Sequence, residues 1–129
     1  MKNLLFSLLF LLVSGFAFSQ TVDSVAFKFN EENFDFGDIT QGQQVEHIFK
    51  FTNTGVKPLV ISNVITSCGC TAPTWPKDPI PPKGQGEIKI DFNSTGKSGK
   101  QNKVITIMSN AVGNPNHIMI TANVLPPKN

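Results

Sequence analysis

The sequence predicts an all-β fold, a two-sheet Greek-key sandwich of about seven short strands. Two observations carry this. Apolar residues recur with period two, as in Val45, His47, Phe49, Phe51 and again in Ile88, Ile90, Phe92. Clusters of Gly, Asn, Pro and Asp then cut the chain at the short spacing that sandwiches use, and helical periodicity is absent. A small barrel is the alternative all-β arrangement. No internal repeat occurs.

The first residues read as a secretory leader. Met1-Lys2-Asn3 is a short positive start, Leu4 to Phe18 carries no charge, and Ala17-Phe18-Ser19 supplies small residues at the positions a signal peptidase reads. The apolar run is short for a membrane anchor, which takes about 20 residues. The expected organisation is therefore a signal peptide over 1–19 and a single domain over 20–129. Cleavage after Ser19 removes 19 of 129 residues and leaves 110, one domain's worth of chain with one core. No cysteine lies near that cut, so no lipid anchor is expected there. No later segment is apolar enough to span a bilayer. Export to a periplasm or to the outside of the cell is the expected destination.

Along the mature chain, Val25, Phe27 and Phe29 share a face. Phe34-Asp35-Phe36-Gly37 then places two rings on one side. After a turn at Thr40-Gln41-Gly42-Gln43, Val45 to Thr52 is the clearest strand, with Glu46, Lys50 and Thr52 on its polar face. Asn53-Thr54-Gly55 ends it with residues that tolerate positive φ. Pro58 to Thr66 is more continuously apolar and reads as a strand with both faces partly covered. Five prolines between Pro73 and Pro82 exclude a central strand, so this stretch is expected to be an extended loop anchored by Trp75. Gly84-Gln85-Gly86 turns into the strand of Ile88, Ile90 and Phe92. Lys103 to Ser109 and Ile118 to Val124 complete the set.

Taken in order, Phe34-Asp35-Phe36-Gly37, Phe51-Thr52-Asn53-Thr54-Gly55, Pro58-Leu59-Val60-Ile61, Ser67-Cys68-Gly69-Cys70-Thr71, Pro81-Pro82-Lys83-Gly84 and Ser109-Asn110 form a recognisable series. The series resembles the bacterial secreted family called domain of unknown function 1573, over roughly Phe34 to Val124. The resemblance implies an immunoglobulin-like sandwich, similar to Hydin-type and major-sperm-protein-type domains, and an exported protein. Those related sandwiches are mostly interaction modules, a likeness at the level of fold only. Pro82-Lys83-Gly84 departs from the family pattern, which favours Pro directly before Gly, and this bears on the turn type.

Charge narrows the function. The chain has 11 lysines and no arginine against nine acids, and the lysines are scattered. Nucleic-acid readers need Arg forks or a basic stripe, so no nucleic acid is expected as partner. Two cysteines are too few for a disulfide scaffold. Hydrolase elbows, phosphate loops and zinc-protease motifs are missing, so no catalytic residue, metal site or cofactor is expected. Asp35 and Asp38 beside Gly37 read as turn formers.

The one place for chemistry is Cys68-Gly69-Cys70. Residues two apart in an extended strand are about 6.6–6.8 Å apart at Cα, the outer edge of disulfide geometry. Gly69 lets the backbone bend and shorten that distance. Three readings stay open: a buried or bridged structural turn, a thiol–disulfide exchange site with a labile bridge, and a soft-metal (copper) site to which His47, His117, Met108 or Met119 add ligands. His47, on an apolar face, reads more simply as a satisfied core or edge histidine. Trp75 is the candidate partner-binding residue, because a proline-stiffened loop presents it at low entropic cost. The simpler role is capping one end of the sandwich. Two functions follow: an exported, non-catalytic module binding a protein or other envelope partner by its loops or a sheet edge, or a redox or copper-handling protein using Cys68 and Cys70.

Overall fold

The structure is a computed structural model describing residues 24–128 and Gly15. The cut after Ser19, and with it the leader apart from Gly15, lies outside the described residues. Eight strands occur among those described: β1 (Phe27–Phe29), β2 (Asn33–Thr40), β3 (Gln44–Asn53), β4 (Ile61–Thr66), β5 (Thr71–Thr74), β6 (Gln85–Asn93), β7 (Gly99–Ser109) and β8 (Asn116–Leu125). They form two four-stranded sheets, ordered β1-β3-β6-β5 and β2-β8-β7-β4. All neighbours are antiparallel except β2, which runs parallel to β8. No helix among the described residues is long and apolar enough to cross a membrane.

The core lies where the period-two pattern puts it. Phe49 and Phe51 of β3, Ile88, Ile90 and Phe92 of β6, Ile105 and Ile107 of β7, and Ile118, Ile120, Ala122 and Val124 of β8 are all buried. Each strand turns one row of side chains inward, and the two inner faces bury that apolar area against each other.

β2 shows how one glycine corrects a parity problem. Phe34, Phe36 and Ile39 cannot all share a face in a regular strand, because the last spacing is odd. The pairing with β8 slips between Asp35 and Asp38, and Gly37 takes φ +70° there. The extra residue restores the inward direction, so both rings pack against the core and Ile39 is buried. Asp35 accepts the Gly37 N–H at 2.8 Å, and Asp38 accepts from Asn123 Nδ2 at 3.0 Å. Asp35 thus holds the backbone at the bulge while Asp38 holds a side chain of β8, and both lie within strand β2 where a turn was expected.

Three expectations change. The proline segment is not loop throughout: Thr71–Thr74 forms β5, with Pro73 opposite Ile90. β5 is an edge strand, where a missing N–H costs nothing if it faces away from the neighbour. The rest of that segment is held by Ile80 more deeply than by Trp75, since buried Ile80 exchanges both backbone hydrogen bonds with Leu59 at 2.8 Å. Pro58 to Thr66 is strand only from Ile61, as an edge strand with one face exposed where partial cover of both faces was expected. Nor do Asn53 and Gly55 act through positive φ. Asn53 is fully buried and clamps the chain, while a Cβ on Gly55 would lie 2.4 Å from Ser24 O. Among the described residues the non-glycine in the left-handed region is Lys83 at φ 64°, at the point where the sequence departs from the family pattern.

Candidate functional site

Cys68 and Cys70 sit in the turn that carries the chain from β4, an edge of one sheet, to β5, an edge of the other. The Cα atoms of the two cysteines are 5.3 Å apart, inside the disulfide range, with the sulfurs bonded, and Gly69 between them keeps an ordinary φ with room for a side chain. The turn is held independently of that bond. Thr71 N–H donates to Cys68 O at 3.2 Å, and Thr66 Oγ1 lies 3.1 Å from both Cys68 O and Thr71 O. Asn93 N–H donates to Cys70 O at 2.9 Å, tying the turn to β6. Cys70 N–H points back at Cys68 Sγ, 3.1 Å away. Cys70 Sγ packs against the core and, among the described residues, has Thr71 Oγ1 at 3.8 Å as its polar neighbour.

A cleft of about 460 Å³ opens beside this turn. Gly69, Cys70 and Ala72 form one side, and β3 and β6 supply Glu46, Asp91 and Asn93. Glu46 and Asp91 are cross-strand partners, and Lys89 Nζ reaches both, at 3.5 Å and 3.9 Å. Two carboxylates and one ammonium leave the rim with one net negative charge.

A bridge over so short a loop removes little entropy from the unfolded chain, about 1.5 kcal/mol in the chain-entropy relation. The Cys68→Ser/Cys70→Ser double variant is therefore expected to lose no more than about 1.5 kcal/mol in urea unfolding. A loss of about 4 kcal/mol would make the bridge a main structural element.

The remaining candidates scatter. His47 lies between the sheets, stacked on Phe34 at 3.5 Å between centroids and edge-on to Phe49, with Nε2 hydrogen-bonded to the Glu31 carboxylate. It is the satisfied histidine that its apolar face suggested. His117 and Met119 are on the outward side of β8 and Met108 on that of β7, with His117 Nδ1 3.2 Å from Thr106 Oγ1. Among the described residues no three His, Cys, Asp or Glu side chains cluster as a metal site. Trp75 is half-buried against the core, with Lys77 Nζ 3.0 Å from its ring centroid. That environment favours the capping role. The clamp at Asn53 and the cleft were missed by sequence reasoning, since both depend on residues far apart in the chain.

The fold is an all-β two-sheet sandwich of eight strands among the described residues, and it resembles PapD-like and immunoglobulin-like domains. The ASH/PapD-like domain 7 of human CEP192 superposes with a TM-score of 0.67 at 8% identity, over 82% of this chain and 89% of that one. The YadV chaperone gives 0.56 at 12% identity, over 80% and 52%. A Porphyromonas gingivalis W83 protein of unknown function gives 0.69 at 17% identity, over 84% of this chain, which spans about half (51%) of that protein. The chain belongs to the DUF1573 family, described as proteins of unknown function, whose model matches residues 27–124. No curated protein matches the chain.

Proposed function

We propose that this chain is an exported, non-catalytic, immunoglobulin-like Greek-key module that binds a protein partner in the cell envelope, in a periplasm or outside the cell. The signal-peptide pattern of residues 1–19 supports the export. The observation carrying the binding role is the contrast between the two outward faces. The outer face of β1-β3-β6-β5 bears Lys28, Glu46, Lys50, Glu87, Lys89 and Asp91. That of β2-β8-β7-β4 confines charge to one end, at Asp35, Asp38 and Lys100. Beyond Asn102 it presents Ile65, Val104, Thr106, Met108, His117 and Met119, with Ile65 49% and Val104 42% exposed. An apolar, Met-bearing centre with a polar rim is the make-up of a protein contact surface, and its lack of lysine suits neither nucleic acid nor anionic lipid.

The test is photo-crosslinking in the producing cell from a reactive residue at Val104 and, as control, at Ile48 on the other sheet. One defined adduct from position 104 is expected, lost when Ile65→Glu is added while the melting curve is unchanged. Equal adducts from both positions, or an adduct indifferent to Ile65→Glu, would refute the surface.

A further inference from the structure

We propose that the Cys68–Cys70 bond is a thiol–disulfide exchange site in which Cys70 is the sulfur attacked and Cys68 the sulfur that leaves. The proposal stands apart from the contact face above, since it uses the opposite sheet and the turn between β4 and β5.

The cleft distinguishes the two cysteines, both of them half-buried. Cys70 lines the 460 Å³ cleft together with Gly69, whereas Cys68 is not among its lining residues. A nucleophile entering there meets Cys70 first. The hydrogen bonds make the same distinction. Cys70 N–H already donates to Cys68 Sγ at 3.1 Å, so negative charge arriving on Cys68 finds a backbone donor in place. Donors aimed at a thiolate favour the charged form, and a more stable thiolate leaves faster. Among the described residues Cys70 Sγ has the more distant Thr71 hydroxyl as its polar neighbour. The bonds that Thr66 Oγ1, Thr71 N–H and Asn93 N–H make to backbone carbonyls of the turn do not involve either sulfur. They keep the two side chains together after the bond opens, so it can re-form.

The exchange balances with a partner dithiol as reductant. Its first thiolate attacks Cys70 Sγ. A partner–Cys70 disulfide forms, and the Cys68–Cys70 bond breaks with its electron pair going to Cys68. The partner's second thiolate then attacks its own sulfur in the mixed disulfide and displaces Cys70. The partner is oxidised to a disulfide, the pair is reduced by two electrons, and the two protons from the partner's thiols pass to Cys68 and Cys70. The carboxylates of Glu46 and Asp91, offset by one lysine, favour a dithiol carried on a cationic segment.

The experiment uses the folded, oxidised mature protein. It is exposed briefly to cysteamine, alkylated with N-ethylmaleimide and mapped by peptide fragmentation, and 3-mercaptopropionate is run in parallel at equal thiolate concentration. Cysteamine is expected on Cys70 at least about tenfold over Cys68, with maleimide on Cys68. Cysteamine is expected to react about threefold faster than the anionic thiol, and the ratio to approach one in Glu46→Gln/Asp91→Asn or at high salt. Adducts on Cys68, or on both sulfurs equally, would overturn the assignment of roles. Absence of any adduct until the protein is unfolded would overturn the exchange itself. A charge ratio unmoved in the double variant would overturn the cationic partner.

Discussion

Asn53→Leu is expected to lose at least about 3 kcal/mol of stability, lowering Tm by about 12 °C for a domain of this size. Asn53 Nδ2 donates to Lys57 O at 2.8 Å and to Ile80 O at 2.9 Å, while Oδ1 accepts from Gly55 N–H at 2.9 Å. One amide thus closes the β3–β4 loop and ties it to the approach to β6. Leucine keeps the bulk but removes all three bonds: Gly55 N–H loses its partner in the interior, at about 1–3 kcal/mol, and the two bonds to Lys57 O and Ile80 O are lost at about 1 kcal/mol each, although Ile80 O keeps the Leu59 N–H. Asn110 offers the control. It makes a similar pair of bonds, accepting from Val60 N–H at 2.8 Å and donating to Pro58 O at 3.2 Å, but at the surface. Water replaces its partners there, so Asn110→Ala is expected to cost less than about 1 kcal/mol. Urea unfolding of both variants checks the contrast, and equal losses would contradict it.

Gly86→Ala is expected to cost about 2–3 kcal/mol, although alanine suits a strand better than glycine does. Gly86 faces Phe51 across β3 and β6, and a Cβ there would lie 2.4 Å from the Phe51 ring. The ring has nowhere to go, being held edge-on by Phe27 at 5.7 Å and Phe29 at 5.5 Å. The cost should therefore couple to Phe51. Adding Phe51→Leu shrinks the ring's end and should recover about 1 kcal/mol or more of the Gly86→Ala loss, a coupling read from a double-mutant cycle. Additive losses would show that the close approach is not the cause. This position was legible only as a turn glycine, because the close approach comes from the opposite strand.

The candidate site divides the same way. That Cys68 and Cys70 could bond was readable from their spacing, a local fact about reach. Which cysteine lines a cleft was not readable, because β3 and β6 build most of that cleft from Gln44 to Glu46 and Asp91 to Asn93, far from the pair in the chain. His47 shows the intermediate case. Its apolar neighbours marked it as a core residue, but its stacking on Phe34 and its bond to Glu31 come from chain segments that only folding brings together. The strand at Thr71–Thr74 was hidden by prolines, which exclude a central strand and not an edge.

By itself the sequence determined the all-β class, the inward rows of β3, β6 and β8, and the position of the one cysteine pair. Side-chain alternation and short-range reach are properties of neighbours in the chain, so they can be read in one dimension. Only the tertiary structure decided the roles of Asn53 and Gly86, the uncharged outer face around Val104, and the unequal surroundings of the two sulfurs. Each of these depends on which strands pair and in what register, and that is settled by burying both inner faces at once.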